Sequence, residues 1–327
     1  MILIITPAGT DNTHGNGVSA RRWAEVLRGL GHRVKVADDY RPGAYDALLA
    51  LHARKSASAV RVFSREHPRA PIVLALTGTD LYPDLATAGV DPAVLDLADR
   101  LIVLQPRGMD QLPPALVPRT RVIVQSVPRI PLTPPRPDCF EVAFLAHVRP
   151  VKDPLRLIEA VGLLPADSSI RVSHAGASRD PALAAELTAA AAGTGRYDWL
   201  GPLPRHQALS VLARSRLLAL TSLHEGGANV VSEALAARVP VISTAIPGSI
   251  GLLGDNYPGY FPAGDTAALA EILYAAEKDF HGFHRRLCAC CMEIAPIVEP
   301  ERERAAFAEL LSDLLPRAAR ERDSAIT

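Results

Sequence analysis

The chain has 327 residues, 48% hydrophobic and 21% charged, a globular rather than a disordered composition. Its 35 basic residues balance 35 acidic ones, which argues against a partner such as nucleic acid or anionic lipid, both of which usually demand a basic excess. Four cysteines, Cys139 alone and Cys288, Cys290 and Cys291 together, are too few for a disulfide-built secreted protein of this length. The start carries no basic leader, and no apolar run approaches the roughly 18 residues of a membrane span. The expectation is a soluble, cytoplasmic protein acting on small molecules, with no nucleic acid and no membrane; protein partners stay unknown. Only four lysines occur, Lys35, Lys55, Lys152 and Lys278, so a lysine at a motif position stands out.

Short apolar runs alternate with helical patterns along the chain. Strands are expected at Ile2–Thr6, Arg33–Ala37, Ala47–Leu51, Ile72–Leu76, Leu101–Leu104 and Val122–Gln125, with helices over Val18–Leu30 and Ser56–Glu66. This alternation means βαβ units and a parallel sheet. Five prolines between Val127 and Pro137 cannot continue a helix or a central strand. The pattern restarts with strands at Glu141–Ala146, Ile170–His174, Tyr197–Leu200, Leu217–Thr221 and Val239–Ser243. Helices are expected at Pro154–Leu164, Pro181–Ala192, Arg205–Ala213 and Asn229–Ala237. After about Phe261 only helices follow: Thr266–Glu277, Phe280–Ala295 and Glu301–Leu315. The expected fold class is α/β, with two doubly wound Rossmann-like domains facing a cleft. The domains are an N-terminal one over 1–127, a linker over 128–138 and a C-terminal one over 139–295. A helix and polar tail over 296–327 return toward the first domain. Ligands of such sheets bind outside the carboxyl ends of the strands.

The strongest motif is His224-Glu225-Gly226-Gly227-Ala228-Asn229-Val230-Val231-Ser232-Glu233, after a strand and into a helix. Its glycines admit a ligand close to the backbone. The N–H groups of the helix start and the helix dipole form an anion site. Glu225 and Glu233 lie about two turns apart, on roughly one side, and can each accept hydrogen bonds from a diol. The combination describes a nucleotide-sugar site; the plain alternative is a capped surface helix. Arg149 and Lys152, after the first strand of the second domain, can both reach a diphosphate and stabilise its departure; the plain alternative is a solvated basic loop. Gly15-Asn16-Gly17-Val18-Ser19-Ala20 nearly spells a dinucleotide fingerprint, but about eight residues separate it from the strand, where the fingerprint needs none. It fits better as a glycine-rich loop facing an acceptor, or as a plain loop and cap. His52, Arg54 and Lys55, with Thr77 and Thr79, stand at two more strand ends, either as acceptor ligands or as ordinary polar loop residues. The cysteine cluster has neither the spacing nor the fourth ligand of a metal site, and helix packing is its default.

These residues resemble the GT-B glycosyltransferases, close to family 4, over nearly the whole chain. Glu225 to Glu233 matches the E-x7-E signature, joined by the glycine-rich first loop with Gly31-His32-Arg33-Val34, the Gly176 turn and Trp199-Leu200-Gly201. The resemblance implies that Glu225 faces the donor sugar, Glu233 binds the ribose, and Arg149 and Lys152 hold the diphosphate. Glu225, Arg149 and Lys152 are then the catalytic set. Gly176, Gly226, Gly227, Ala228, Asn229 and Val230 complete the UDP-sugar site, with Leu203 near the base. One departure is clear: the family's arginine stands five residues before the lysine, where this chain has His147, so either His147 or Arg149 fills that role.

A narrower resemblance is to the SenB family of selenosugar synthases of selenoneine biosynthesis. It is carried by Ala75-Leu76-Thr77-Gly78-Thr79-Asp80-Leu81-Tyr82, Arg149-Pro150-Val151-Lys152-Asp153-Pro154, the Gly226–Glu233 string, Ile246–Gly254 and Tyr257–Pro262. That family joins a UDP-sugar, typically UDP-GlcNAc, to selenophosphate through a carbon–selenium bond, losing UDP and phosphate. A selenium anion is already a strong nucleophile, so the enzyme mainly holds two anions together and stabilises the leaving UDP. Cations and N–H donors on the first domain are expected for this rather than an obligate base: Gly15, Asn16, Gly17, His52, Arg54, Lys55, Thr77 and Thr79. No metal or cofactor is implied, the substrates being a UDP-sugar and selenophosphate. Three alternatives stay open. One is a conventional GT-B transferase using a hydroxyl acceptor, with His14, His52 or Asp80 as base if it inverts. The others are a UDP-sugar epimerase and a non-catalytic nucleotide-sugar binder.

Overall fold

The computed structural model describes residues 1–7 and 15–315. The chain divides into two compact units, residues 1–126 with 300–327, and residues 127–299. The proline-rich segment therefore belongs by its contacts to the second unit, and the last helix to the first.

Within the first unit the order is β1 (Ile2–Ile5), α1 (Gly15–Gly29), β2 (Val34–Ala37), β3 (Ala47–Leu51), α2 (Ala57–Glu66), β4 (Ile72–Leu76), α3 (Pro92–Asp96), β5 (Arg100–Val103) and β6 (Thr120–Val122). All strands pair in parallel, in the order β2-β1-β3-β4-β5-β6. β1, β3 and β4 are buried throughout, which is why they read as unbroken apolar runs rather than alternating ones. The last strand sits earlier than the expected Val122–Gln125: Gln125 and Ser126 are buried but follow the strand, their side chains bonding to α1 and the C-terminal helix instead. Gly15–Gly17 form the first turn of α1, not a loop, with Ser19 Oγ donating to the Gly15 carbonyl at 2.9 Å.

The second unit runs β7 (Phe140–Leu145), α4 (Pro154–Gly162), β8 (Ile170–Ala175), α5 (Pro181–Thr194), β9 (Tyr197–Trp199), α6 (Arg205–Arg214), β10 (Leu217–Leu220), α7 (Asn229–Ala237), β11 (Val241–Thr244), α8 (Pro247–Leu253), β12 (Tyr260–Phe261), α9 (Thr266–Lys278) and α10 (Arg285–Ile294). Its sheet order is β12-β11-β10-β7-β8-β9, again all parallel. The expected single helix over Phe280–Ala295 is broken. Residues Phe280–His284 form a π-turn, because the Asp279 carboxylate accepts the Gly282 and Phe283 N–H groups and caps a new start. The short helices α3 and α8 were not expected; both open on Pro at the first turn, where its missing N–H costs nothing.

The last helix, α11 (Pro300–Leu314), completes the first unit. Phe307 meets Trp23 of α1 edge-on at 5.3 Å. The buried Glu303 carboxylate accepts from Trp23 Nε1 at 2.8 Å, from Arg22 Nε at 3.1 Å and from Ser126 Oγ. A buried carboxylate demands such a set of donors.

Candidate functional site

Chain order reverses between β7 and β10 in the second sheet and between β1 and β3 in the first. The crevice at such a reversal is where open parallel sheets bind ligands, and the motif residues lie there.

At the second-unit reversal, β7 leads into the loop carrying Arg149 and Lys152, and β10 into the loop carrying Glu225. The two loops are stitched together. Thr221 Oγ1 donates to the Lys152 and Asp153 carbonyls at 2.7 and 2.9 Å, and the Leu223 N–H donates to the Val151 carbonyl at 2.9 Å. Asp153 takes a left-handed φ of 42°, with Arg156 Nε 3.0 Å from its carboxylate. The result is an ion pair between Lys152 Nζ and Glu225 Oε1, the same oxygen accepting from Ser222 Oγ at 2.7 Å. The two side chains keep 21% and 12% of their surface exposed, enough for a ligand to reach both.

Two glycines fix the approach. A Cβ on Gly248, in α8, would sit 2.1 Å from the Glu225 carbonyl oxygen; one on Gly176 would sit 1.8 Å from that of Ala146. Only hydrogen fits in either gap. The Ala146 carbonyl also accepts from His174 Nε2 at 2.7 Å, while His174 Nδ1 accepts from Tyr197 Oη at 2.9 Å. That pattern defines a neutral ring protonated at Nε2. Burial pushes His174 down to about 4 and pushes the Tyr197 phenol well up.

Gly226, Ala228 and Val230 are buried, Gly227 and Asn229 half-buried, around the start of α7. The first N–H groups of a helix have no partner within it, so this turn offers donors to an anion. Glu233, one turn further and buried, pairs with Arg205 Nη1 of α6 at 2.6 Å. Arg149 is exposed and makes no side-chain hydrogen bond or ion pair among the described residues. His147 is half-buried, its Nδ1 accepting the Ala177 N–H at 3.1 Å. The ring thus turns to the Gly176 loop, while the Arg149 side chain stands exposed. Leu203 is half-buried just before α6. Beside Pro150 and Asp153 a 370 Å³ depression is lined by Asp180 and Glu186 as well; its carboxylates repel a phosphate.

At the first-unit reversal the organiser is Asp80. Fully buried, it accepts the Ala53 N–H on one carboxylate oxygen and the Thr77 and Gly78 N–H groups on the other, all at 2.8 Å. This clamps the loop after β3 to the loop after β4 and gathers His52, Thr77 and Thr79. Arg54 and Lys55 are exposed and form no ion pair among the described residues; the Arg54 stem runs over Gly89, whose added Cβ would touch its Cδ at 3.4 Å. His14 lies outside the described residues. Burial lowers the His52 pKa; Asp80 opposes that shift, while Lys55 and Arg54 reinforce it.

Sequence reasoning missed Arg205 and Ser222. Arg205 had a signal: a basic residue at a helix N-terminus opposes the dipole unless a carboxylate meets it. Ser222 had none, since only the folded loop aims it at Glu225. Cys288, Cys290 and Cys291 are free thiols; Cys291 Sγ lies 3.3 Å from Tyr257 Oη and Cys288 Sγ 3.7 Å from His284 Nδ1, so they pack the unit. Among the described residues no group of three or more His, Cys, Asp or Glu side chains is placed to hold a metal ion. No helix there is long and apolar enough to cross a membrane.

Residues 134–284 match the family described as glycosyl transferases group 1. A stretch of 79 residues is 38% identical to a protein named as teichuronic acid biosynthesis glycosyltransferase TuaC, from Bacillus subtilis; the match covers 24% of this chain and only 20% of that one. Among solved structures, Anabaena HepE in complex with UDP and glucose superposes with a TM-score of 0.76 at 19% identity, over 96% of this chain and 99% of that one. Sucrose-phosphate synthase from Thermosynechococcus elongatus gives 0.77 at 16% identity, over 97% and 99%. The second unit is thus a domain of the group 1 glycosyl transferase family, in a chain with the two-domain GT-B fold.

Proposed function

We propose that the chain is a glycosyltransferase that uses a UDP-sugar, with UDP-GlcNAc the favoured donor, and transfers the sugar to selenophosphate. A C–Se bond forms at the anomeric carbon, and UDP and then phosphate are lost. The observation that carries the transferase reading is the Lys152–Glu225 pair at the start of α7. A cation and helix N–H groups suit a diphosphate, and an adjacent carboxylate suits sugar hydroxyls. In this reading Arg149 and Lys152 stabilise the leaving UDP, Glu225 holds the sugar and Glu233 the ribose. That HepE was crystallised with UDP and glucose supports a uridine nucleotide as the ligand class. The selenium reading rests on the long strings shared with the selenosugar synthases. It is supported by Arg54 and Lys55, two exposed cations in the loop that Asp80 ties to the one carrying Thr77 and Thr79, which suit an anionic acceptor better than a neutral hydroxyl. Site charge is supplied by side chains and a helix end, and the reading calls for no metal.

The test is UDP release from UDP-GlcNAc with and without selenophosphate, with products weighed. Selenophosphate-dependent release, with a selenium isotope pattern in the sugar product, is the expected result. Release only with hydroxyl acceptors would move the protein to the conventional transferases.

A further inference from the structure

We propose that Ser222 and Thr244 are positioning residues that decide which oxygen of the Glu225 carboxylate meets the donor sugar, and so which sugar configuration is accepted; this rests on the donor reading above. The two oxygens of that carboxylate are not equivalent. Oε1 accepts from Lys152 Nζ and, at 2.7 Å, from Ser222 Oγ. Among the described residues no hydrogen bond or ion pair reaches Oε2. An oxygen with two donors has its lone pairs filled, so the sugar hydroxyl goes to Oε2. The side chain keeps 12% of its surface exposed for that contact.

The peptide after Ser222 is pinned from both neighbouring strands, since β10 lies between β7 and β11. On the β11 side, Thr244 Oγ1 donates to the Ser222 carbonyl at 2.7 Å. On the β7 side, the Leu223 N–H donates to the Val151 carbonyl at 2.9 Å. A planar peptide held at both its C=O and its N–H cannot swivel, so Ser222 stays aimed at Glu225. Behind Thr244 the polar run continues into α8. Ser243 Oγ stands 2.7 Å from Ser249 Oγ and 3.1 Å from the Thr244 carbonyl. Ser222, Ser243, Thr244 and Ser249 are all fully buried. A bonded pair of buried polar groups can be replaced by apolar groups of the same shape at little cost in stability. Packing alone therefore does not call for this run of hydroxyls, and its end on a partly exposed carboxylate gives it a use.

The role of Ser222 grows once the donor is bound. Lys152 then serves the diphosphate as well, with three donors on an ammonium that follows the phosphate. The Ser222 hydroxyl has one hydrogen, already committed to Oε1. It holds that oxygen while Lys152 is drawn to the ligand. Without it the carboxylate turns about its Cγ–Cδ bond, and either oxygen faces the sugar. An acceptor fixed in place rewards one hydroxyl configuration and leaves the wrong one unpaired, whereas a turning one accepts both. Thr244 acts one step back, by keeping the Ser222 backbone from moving.

The experiment is calorimetry without any acceptor, so it does not depend on the selenium chemistry. It compares UDP, UDP-GlcNAc and the C4 epimer UDP-GalNAc on wild type, Ser222→Ala, Thr244→Val and Thr244→Ser, with thermal melting of each. The wild type is expected to bind UDP-GlcNAc at least about tenfold more tightly than UDP-GalNAc. That ratio should fall below about threefold in Ser222→Ala and Thr244→Val, and be kept in Thr244→Ser, which restores the donor. UDP affinity should stay within about twofold throughout, a pattern that general loosening of the unit does not give. If Thr244→Val fails to fold, Ser222→Ala decides. A ratio in Ser222→Ala equal to that of the wild type overturns the positioning role and leaves the donor reading standing. So does a wild type that binds UDP but shows no preference between the epimers. No binding of UDP or of either sugar nucleotide overturns the donor reading, and the positioning role with it.

Discussion

Glu225 and Lys152 share one contact, and each is positioned by a neighbour that does no chemistry of its own: Ser222 for the carboxylate, Thr221 for the lysine's loop. Truncating the lysine removes a charge-assisted contact worth about 1.5–3 kcal/mol. Lys152→Ala is therefore expected to weaken UDP binding by roughly tenfold to a hundredfold in calorimetry. Glu225→Gln keeps the shape but loses the charge, so UDP affinity should hold within about threefold while kcat falls at least about tenfold. Arg205→Ala leaves the buried Glu233 without that counter-ion. Uridine and UDP affinity should both fall by about tenfold, the loss lying at the ribose; a loss confined to UDP would place Arg205 at the phosphates instead.

Between elements, a tight constraint is α8 against the Glu225 loop. With its added Cβ 2.1 Å from a carbonyl, Gly248→Ala forces backbone to move, at a cost typical of overpacking, about 1–3 kcal/mol. The expected outcome is a folded protein whose kcat/KM drops more than about tenfold, because the displaced loop no longer presents Glu225 to Lys152. Unchanged kinetics would mean that the loop relaxes without moving the carboxylate. β7 and β8 are locked by His174, whose ring is neutral and buried. Its folded pKa, about 4, lies below the ordinary 6.5, so the unfolded chain binds the proton more readily. Stability is intact above pH 6.5 and falls as the pH drops toward 4, by about 3 kcal/mol in all. Urea midpoints of wild type and His174→Gln across that window check this: the variant should lose less on acidification.

At the scale of the whole molecule, the C-terminal helix closes the first unit through Glu303. Its carboxylate joins Arg22 and Trp23 of α1 to Ser126, two segments otherwise distant in sequence. Glu303→Ala breaks the buried Arg22–Glu303 ion pair and removes the acceptor of Trp23 and Ser126, a change that costs about 3–5 kcal/mol. Chemical denaturation followed by tryptophan fluorescence should show an earlier transition, since Trp23 is one of the groups released. A denaturation midpoint equal to wild type would mean that the apolar packing of Phe307 holds α11 by itself.

Periodicity and spacing determined a good deal without any coordinates. Fully buried parallel strands read as apolar runs such as Ile2–Ile5 and Ile72–Leu76, and α7 starts and stops at the residues expected, Asn229 and Ala237. The motif loops were legible for the same reason: a ligand at the carboxyl end of a parallel sheet leaves its polar residues directly after those runs. What the sequence left open was set by contacts between distant segments. Gly15, Asn16 and Gly17 read as a loop but form the first turn of α1, and the last strand of the first sheet starts at Thr120, two residues early, because Gln125 and Ser126 turn to α1 and α11. The π-turn at Phe280 depends on one side-chain carboxylate. Arg205 meets Glu233 across 28 residues of chain, and Asp80 holds the Ala53 N–H across 27. Hydrophobic period is a local property of a sequence and survives translation into structure. Ion pairs and clamps are decided by which loops the sheet order sets side by side, and that order exists only once the chain has folded.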